Sequence, residues 1–256
     1  MGQLDQKVAI VTGSDSGIGR GIAIAFAKQG ATVVVNYAHA KEKAEEVLQT
    51  IQQNNGKAIV IQADVSQYQQ ALGLIQQTVE HFNRLDIMVN NAGMEIHSPF
   101  VDVTEEQFDR VISVDLKGAF FCAQAAAREM IERKIPGRII NISSVHEDLP
   151  MPQNVPYCCA KGGMRMLMRT ICLELAPYNI TVNNIGPGAV DTPIDADVKA
   201  DPKKYNALLN EIPLHRVGQP EEIGELALYL ASDAAAYVTG STYFIDGGLM
   251  RSTGSL

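Results

Sequence analysis

Tyr157 and Lys161 stand four residues apart in the segment Val-Pro-Tyr-Cys-Cys-Ala-Lys, and Ser144 lies thirteen residues before the tyrosine. On a helix, a four-residue step puts the phenol and the ammonium on one face. A phenol loses its proton near pH ~10, so proton transfer at neutral pH needs a shift of ~3 units, or ~4 kcal/mol. A cation ~4 Å away contributes about that much at an effective dielectric of ~20. The spacing therefore fits a tyrosine acid/base, given a substrate and an electron acceptor beside it. Two solvated side chains would share the same spacing, so the rest of the chain decides.

Apolar strand-like runs must supply the frame: 8–12, 32–36, 58–62, 86–90, 138–142, 181–185 and 242–246. Most are continuously apolar, as expected of strands covered on both faces. Amphipathic stretches at 17–29, 40–54, 67–82, 104–134, 155–177 and 220–231 alternate with them. This is a repeated βαβ pattern, and right-handed crossovers give an open α/β sheet, doubly wound. Gly30, Gly56 and Pro136-Gly137 mark helix ends, and Pro220 suits a first helical turn. Thr104 and Gln107 form a capping box. The Gln-rich stretch 62–77 reads as a solvated helix face, with Ala71, Leu74, Ile75 and Val79 turned inward. No repeat or linker divides the chain, so residues 1–256 are expected to form one domain.

Composition excludes several classes. Hydrophobic residues make up 46% of 256, yet no apolar run reaches the ~18 residues of a membrane span. No secretory h-region precedes the first strand, and Gln6 stands where a myristoylation signal needs Ser or Thr. A net charge of -8 without a basic patch argues against nucleic acid. Cys122, Cys158, Cys159 and Cys172 lack metal-ligand spacing and fall in helical segments, so no metal site is expected. The expectation is a cytoplasmic protein with a small-molecule partner.

Chemistry-bearing residues gather after strand ends, where open α/β sheets bind ligands. Thr12-Gly13-Ser-Asp-Ser-Gly17-Ile-Gly19 joins the first strand to the first helix. Such glycines permit a tight turn and close backbone approach to a diphosphate at the helix N-terminus. Asn90-Asn91-Ala92-Gly93 ends the fourth strand, and Gly186-Pro187-Gly188 follows the sixth. Together with Ser144, Tyr157 and Lys161, these motifs resemble the short-chain dehydrogenase/reductase family, in its compact one-domain branch, over the whole chain. The resemblance implies a Rossmann sheet of about seven parallel strands, a nicotinamide dinucleotide and a homotetramer. It makes Tyr157 the catalytic acid/base, Lys161 the residue that lowers its pKa and binds the ribose, and Ser144 the holder of the reacting oxygen. Cofactor contacts then fall to Gly13, Ser16, Gly17, Ile18, Gly19, Asn36, Asp64, Val65, Asn91, Ala92, Gly93, Tyr157, Lys161, Pro187, Gly188, Val190 and Thr192.

One position departs from the family. Its usual central-helix Asn is Asp115 here, in Val114-Asp115-Leu116-Lys117-Gly118. An ionised Asp cannot donate an amide hydrogen bond, and its charge could hold Lys161. If a backbone carbonyl serves there instead, the side chain matters less; Asp115 enters as a fourth catalytic candidate.

Cofactor and substrate signals are finer. The end of the second strand holds Asn36 rather than an acid for a ribose 2′-hydroxyl, and Ala38 and Ser16 offer no cation for a 2′-phosphate. NAD or NADP is expected, with a lean to NAD. Within the family, Ser143–Glu147, Met94-Glu95, Gly186–Ala196 and Tyr237–Gly248 resemble the bacterial glucose 1-dehydrogenases, whose reaction takes β-D-glucose to the lactone. Glu95 and His146 are candidate sugar contacts, whereas Glu147 reads as an exposed loop charge. The polar stretch 192–214, broken at Asp201-Pro202, resembles a substrate lid. Two rival readings are a 3-oxoacyl thioester or general ketone reductase and a non-catalytic dinucleotide sensor.

Overall fold

The computed structural model describes residues 2–193 and 199–251. Ile194–Ala196 of the glucose-dehydrogenase-like run, and part of the lid stretch, lie outside them. Seven strands form one parallel sheet: β1 Val8–Val11, β2 Thr32–Tyr37, β3 Lys57–Gln62, β4 Ile87–Asn90, β5 Arg138–Ile142, β6 Thr181–Pro187 and β7 Thr242–Ile245. Their order is β3-β2-β1-β4-β5-β6-β7, so it reverses between β1 and β4. The register pairs Ile10 with Val34 on one side and with Met88 on the other.

Side chains alternate between two cores because successive residues of a strand point to opposite faces. Ala9, Val11, Val33, Val35, Ile87, Val89 and Ile140 pack under α1 (Gly17–Lys28), α2 (Lys41–Gln53) and the late helix Pro220–Ala231. Ile10, Val34, Met88, Ile139 and Val182 face α3 (Tyr68–Phe82), α5 (Ala119–Glu132) and α6 (Val155–Leu175). With both faces covered, strand interiors have no use for polar residues. The amides of Asn36, Asn90 and Asn141 are nonetheless buried toward the C-terminal ends of their strands, and that of Asn184 in the middle of β6. Among the described residues no helix is long and apolar enough to cross a membrane.

One expectation about helices needs correction. The stretch 104–134 is not one α-helix: α4 (Glu105–Ile112) passes into a π-turn at Ser113–Gly118 before α5 begins. Such one-turn bulges widen the helix locally and recur at functional sites. The helices end just before Gly30, Gly56 and Pro136-Gly137 as expected, with Gly30 (φ 93°), Asn55 (φ 60°) and Lys134 (φ 53°) as the left-handed residues. The Thr104–Gln107 capping box is present in both directions, at 3.0 and 3.2 Å. Asp201-Pro202 opens a helix, α7 (Pro202–Glu211), with the Asp201 carboxylate accepting from the Lys203 and Lys204 N–H groups. The helix Pro220–Ala231 is α8.

Candidate active site

A cleft of about 920 Å³ opens along the C-terminal ends of β1, β2, β4, β5 and β6. Its floor is the glycine turn between β1 and α1. Gly13 and Gly17 adopt positive φ, 58° and 53°, where a side chain would be strained. At Gly19 a Cβ would run into Asn91 and, at 2.5 Å, into the Gly13 carbonyl. Ser16 makes no side-chain cap to α1, and the first turn of that helix carries no acid, leaving its N-terminal N–H groups available to an anion. Ile18, Pro187, Gly188, Val190 and Thr192 line the same space, with Thr192 packed against Gly17.

Asn91 holds this turn against β4. Its amide donates to the carbonyls of Thr12 at 2.8 Å and Gly13 at 3.0 Å, while Thr12 Oγ1 accepts from the N–H groups of Asn91 and Ala92. Gly93 must lack a side chain, since a Cβ would lie 2.9 Å from Asp115 Oδ2 and 3.5 Å from Lys161 Nζ. These glycines leave room for a dinucleotide, and the residues present fit one. Asp64 and Val65 border the cleft at the end of β3.

The expected catalytic side chains converge. Lys161 is buried on α6, donating to the Ile142 carbonyl at 3.1 Å, and its ammonium lies 5.2 Å from the centre of the Tyr157 ring. Ser144 follows β5, caps the Val145–Glu147 turn and lies close enough to the Tyr157 phenol to favour its ionised form. The π-turn aims Asp115 into the same point: Oδ2 is 3.2 Å from Lys161 Nζ, and Oδ1 accepts from the Met94 N–H at 2.9 Å. His146 stacks edge-on to Tyr157 at 6.3 Å. Its Nδ1 lies 3.2 Å from the Leu149 carbonyl, which can only accept, so that bond requires a hydrogen on Nδ1.

A family model described as enoyl-(acyl carrier protein) reductase matches residues 13–250. Glucose 1-dehydrogenase 2 of Bacillus subtilis (strain 168) is 42% identical, over 96% of this chain and 95% of that one. The 3beta-hydroxysteroid dehydrogenase 1 of Eggerthella lenta is 43% identical, over 96% and 94%. The crystal structure of a gluconate 5-dehydrogenase from Burkholderia cenocepacia J2315, in complex with NADP and tartrate, superposes with a TM-score of 0.92 at 35% identity, covering 97% and 96%. The chain belongs to the short-chain dehydrogenase/reductase family.

This short-chain dehydrogenase/reductase is thus an oxidoreductase acting on CH–OH groups and using a nicotinamide dinucleotide. Its electrostatics differ from the sequence expectation. Burial pushes the Tyr157 phenol above its ordinary range; Lys161 and the Ser144 hydrogen bond pull it down, while Asp115 and Glu95 add to the rise. Burial alone would lower Lys161, but Asp115 and Tyr157 carry it above its ordinary value. Burial raises the Asp115 carboxyl too, against the pull of Lys161 and the Met94 N–H. We take the pair as ionised, because every group facing Asp115 at hydrogen-bonding distance is a donor. The Lys161 charge is therefore shared between a phenol and a carboxylate.

Asn36 lines the cleft at the end of β2, its amide held by backbone: Oδ1 accepts from Gly13 N–H at 3.2 Å, and Nδ2 donates to the Ile61 and Ala63 carbonyls at 3.2 and 3.1 Å. One further placement corrects the sequence reading. Glu147 is not an exposed loop charge but a buried carboxylate bonded to Ser143, Asn184 and Thr242. Glu95 lines the cleft, half-buried, bonded to the Asn154 amide and 4.0 Å from His97 Nε2. Sequence reasoning missed Asn154, although an Asn immediately before an apolar helix start is a usable signal. It also missed Asp15, whose half-buried carboxyl lines the cleft beside Ser16. Burial pushes the Cys122 thiol up to about 12, as befits an inert core residue.

Proposed function

We propose that the protein oxidises the C1 hydroxyl of β-D-glucose, or a closely similar sugar, to the lactone. The observation that carries this reading is the polar wall beside the Ser144–Tyr157 pair. Glu95, set by Asn154, and His146, with Nε2 free of the Leu149 bond, line the cleft next to the phenol. A sugar needs several hydrogen-bond partners around the reacting carbon, and an acceptor pair of this kind receives hydroxyl protons. In oxidation Tyr157 takes the hydroxyl proton, Ser144 holds the substrate oxygen, and Lys161 stabilises the phenolate. An oxidised dinucleotide held by the glycine turn and Asn91–Gly93 would supply the hydride acceptor and, before transfer, a positive ring charge that favours the phenolate.

A second reading has its own support. Met94, Met151, Leu208 and Leu249 also line the cleft, and an apolar secondary alcohol or ketone would pack against them. For the cofactor, NAD is favoured. Asn36 is spent on backbone carbonyls, position 38 is alanine, and the Asp15 carboxylate adds negative charge to the cleft lining, so no cation stands ready for a 2′-phosphate at these positions. The assembly proposed is a homotetramer: Phe108, Phe120, Met166 and Leu173 leave α4, α5 and α6 with exposed apolar side chains. We further take residues 1–256 as one domain working in the cytoplasm.

The test is the near-ultraviolet absorbance of reduced nicotinamide, with NAD and NADP against sugars, hydroxysteroids, secondary alcohols and ketones. Turnover of glucose above the secondary alcohols supports the proposal, and no turnover of any sugar removes it. Tyr157→Phe should abolish turnover while leaving cofactor binding in place; a variant that retains activity would overturn the role of the phenol.

A further inference from the structure

We infer that Glu147 is a positioning residue: it sets the direction of a buried amide row and, through that row, the placement of Ser144. The inference rests on the dehydrogenase chemistry and not on which alcohol is oxidised. The Glu147 carboxylate is enclosed, and three donors converge on it: Ser143 Oγ at 2.6 Å, Thr242 Oγ1 at 2.7 Å and Asn184 Nδ2 at 3.2 Å. Arg165 Nε lies 3.8 Å away, itself bridged to Asp148. Asn184 Oδ1 accepts from Asn141 Nδ2 at 2.9 Å, and Asn141 Oδ1 accepts from Asn90 Nδ2 at 2.9 Å. The row crosses β4, β5 and β6, and Thr242 extends it to β7.

A carboxylate accepts only, so Asn184 must turn its NH₂ toward Glu147 and its carbonyl toward Asn141. Asn141 and Asn90 must then follow in the same sense. The surplus acceptor falls at the far end, where Asn90 Oδ1 is buried without a partner. Chains of aligned hydrogen bonds in a low-dielectric interior reinforce one another. Both ends of the row touch the site. Asn90 precedes Asn91, which holds the glycine turn, and Ser143 precedes Ser144 in the loop that α6 packs against. Ser144 Oγ in turn accepts from the His146 N–H at 3.1 Å.

The experiment uses Glu147→Gln on the full chain, assayed on whichever alcohol the parent oxidises, with melting temperature, cofactor KM and kcat recorded together. The amide puts an NH₂ where a donor needs an acceptor. Displacing Ser144 by a fraction of an ångström should lower kcat about tenfold or more, with the cofactor KM within about twofold. The double variant Glu147→Gln/Asn184→Asp restores a carboxylate at the join, moved from position 147 to position 184. There it would accept both from Asn141 and from the new amide at position 147. It should recover kcat to within about threefold of the parent. If Glu147→Gln folds poorly, Thr242→Val removes one donor and should lower kcat in the same direction. A lowered melting temperature with unchanged kcat in Glu147→Gln would overturn the inference, as would a double variant no more active than the single one. An unaltered kcat in a folded Thr242→Val would do so if the glutamine variant cannot be measured.

Discussion

Replacing Asp115 by asparagine should make Tyr157 a stronger participant in oxidation at neutral pH. Its carboxylate sits 3.2 Å from Lys161 Nζ, and Nζ lies 5.2 Å from the phenol ring centre. The carboxylate therefore lies no more than about 11 Å from the phenolate oxygen, and at an effective dielectric of ~20 it opposes a phenolate by about 1.5 kcal/mol or more. Asparagine keeps the acceptor for the Met94 N–H but removes the charge, and Lys161 retains the Ile142 carbonyl at 3.1 Å. The groups facing Tyr157 are then Lys161, Ser144, the His146 ring edge-on at 6.3 Å, and Glu95.

The sign follows from which form works. Oxidation needs the phenolate, Asp115 raises the phenol's pKa, and so its removal moves the rising limb of kcat against pH toward acid. On that limb, about 1.5 kcal/mol corresponds to a gain of about tenfold in the phenolate fraction. Relaxation and water entry will reduce the observed gain to several-fold. The assay is the pH dependence of kcat for alcohol oxidation at saturating cofactor, parent against variant. A limb that stays in place, or moves toward alkali, refutes the argument and leaves Asp115 as a spacer on the π-turn. A fall in kcat with no change in the shape of the profile points to lost orientation of Lys161 and refutes it equally.

Gly19→Ala should weaken dinucleotide binding about tenfold or more, since its Cβ meets Asn91 and the Gly13 carbonyl across the glycine turn. Fluorescence titration with NADH checks this, and a dissociation constant within twofold of the parent would contradict it. Glu222→Gln should cost at most about 1 kcal/mol of stability, because the Arg216 fork at 2.7 and 2.8 Å is exposed. That fork, with the Gln219 N–H, draws the Glu222 carboxyl down from 4.5 to about 2. A depressed carboxyl stabilises the fold above its unfolded value and loses that contribution as pH falls through its folded one. Urea midpoints of parent and variant should therefore differ at pH 7 and converge between about pH 4.5 and 2. A gap that persists at the acid end would sink the assignment.

The sheet was legible because each strand is a run of apolar residues read on both faces, and all seven runs fall where the strands form. Local caps were legible for the same reason: Thr104 and Gln107 are three residues apart and need nothing else. What could not be read depends on partners distant in sequence. Glu147 looks solvated beside His146 and Asp148, yet two of its donors come from residues 37 and 95 positions away. Asn36 was legible as a cleft residue, but not that the carbonyls of Ile61 and Ala63 hold its amide from the β3 side. The π-turn escaped because one widened turn scarcely disturbs a helical apolar pattern, and its effect is to aim a single side chain, Asp115. Asparagines inside apolar strands were the available sign that a polar row crosses the sheet.

The choice between amide and acid around the cleft follows one rule of donor matching. Asn36 accepts from the Gly13 N–H and must itself donate to two carbonyls, so an aspartate there would face two acceptors. Asn91 donates twice, to Thr12 and Gly13, and is bound by the same restriction. Asn184 accepts from one neighbour and donates to another. At Glu147 and Asp115 every close partner donates: two hydroxyls and an amide at one, a backbone N–H and an ammonium at the other. An acid is the matched side chain in those two places, and an amide there would turn an N–H toward a donor. Asp115 is thus locally the better fit for Lys161 even though it opposes the phenolate. The same carboxylate that fixes the ammonium weakens the ammonium's effect on Tyr157.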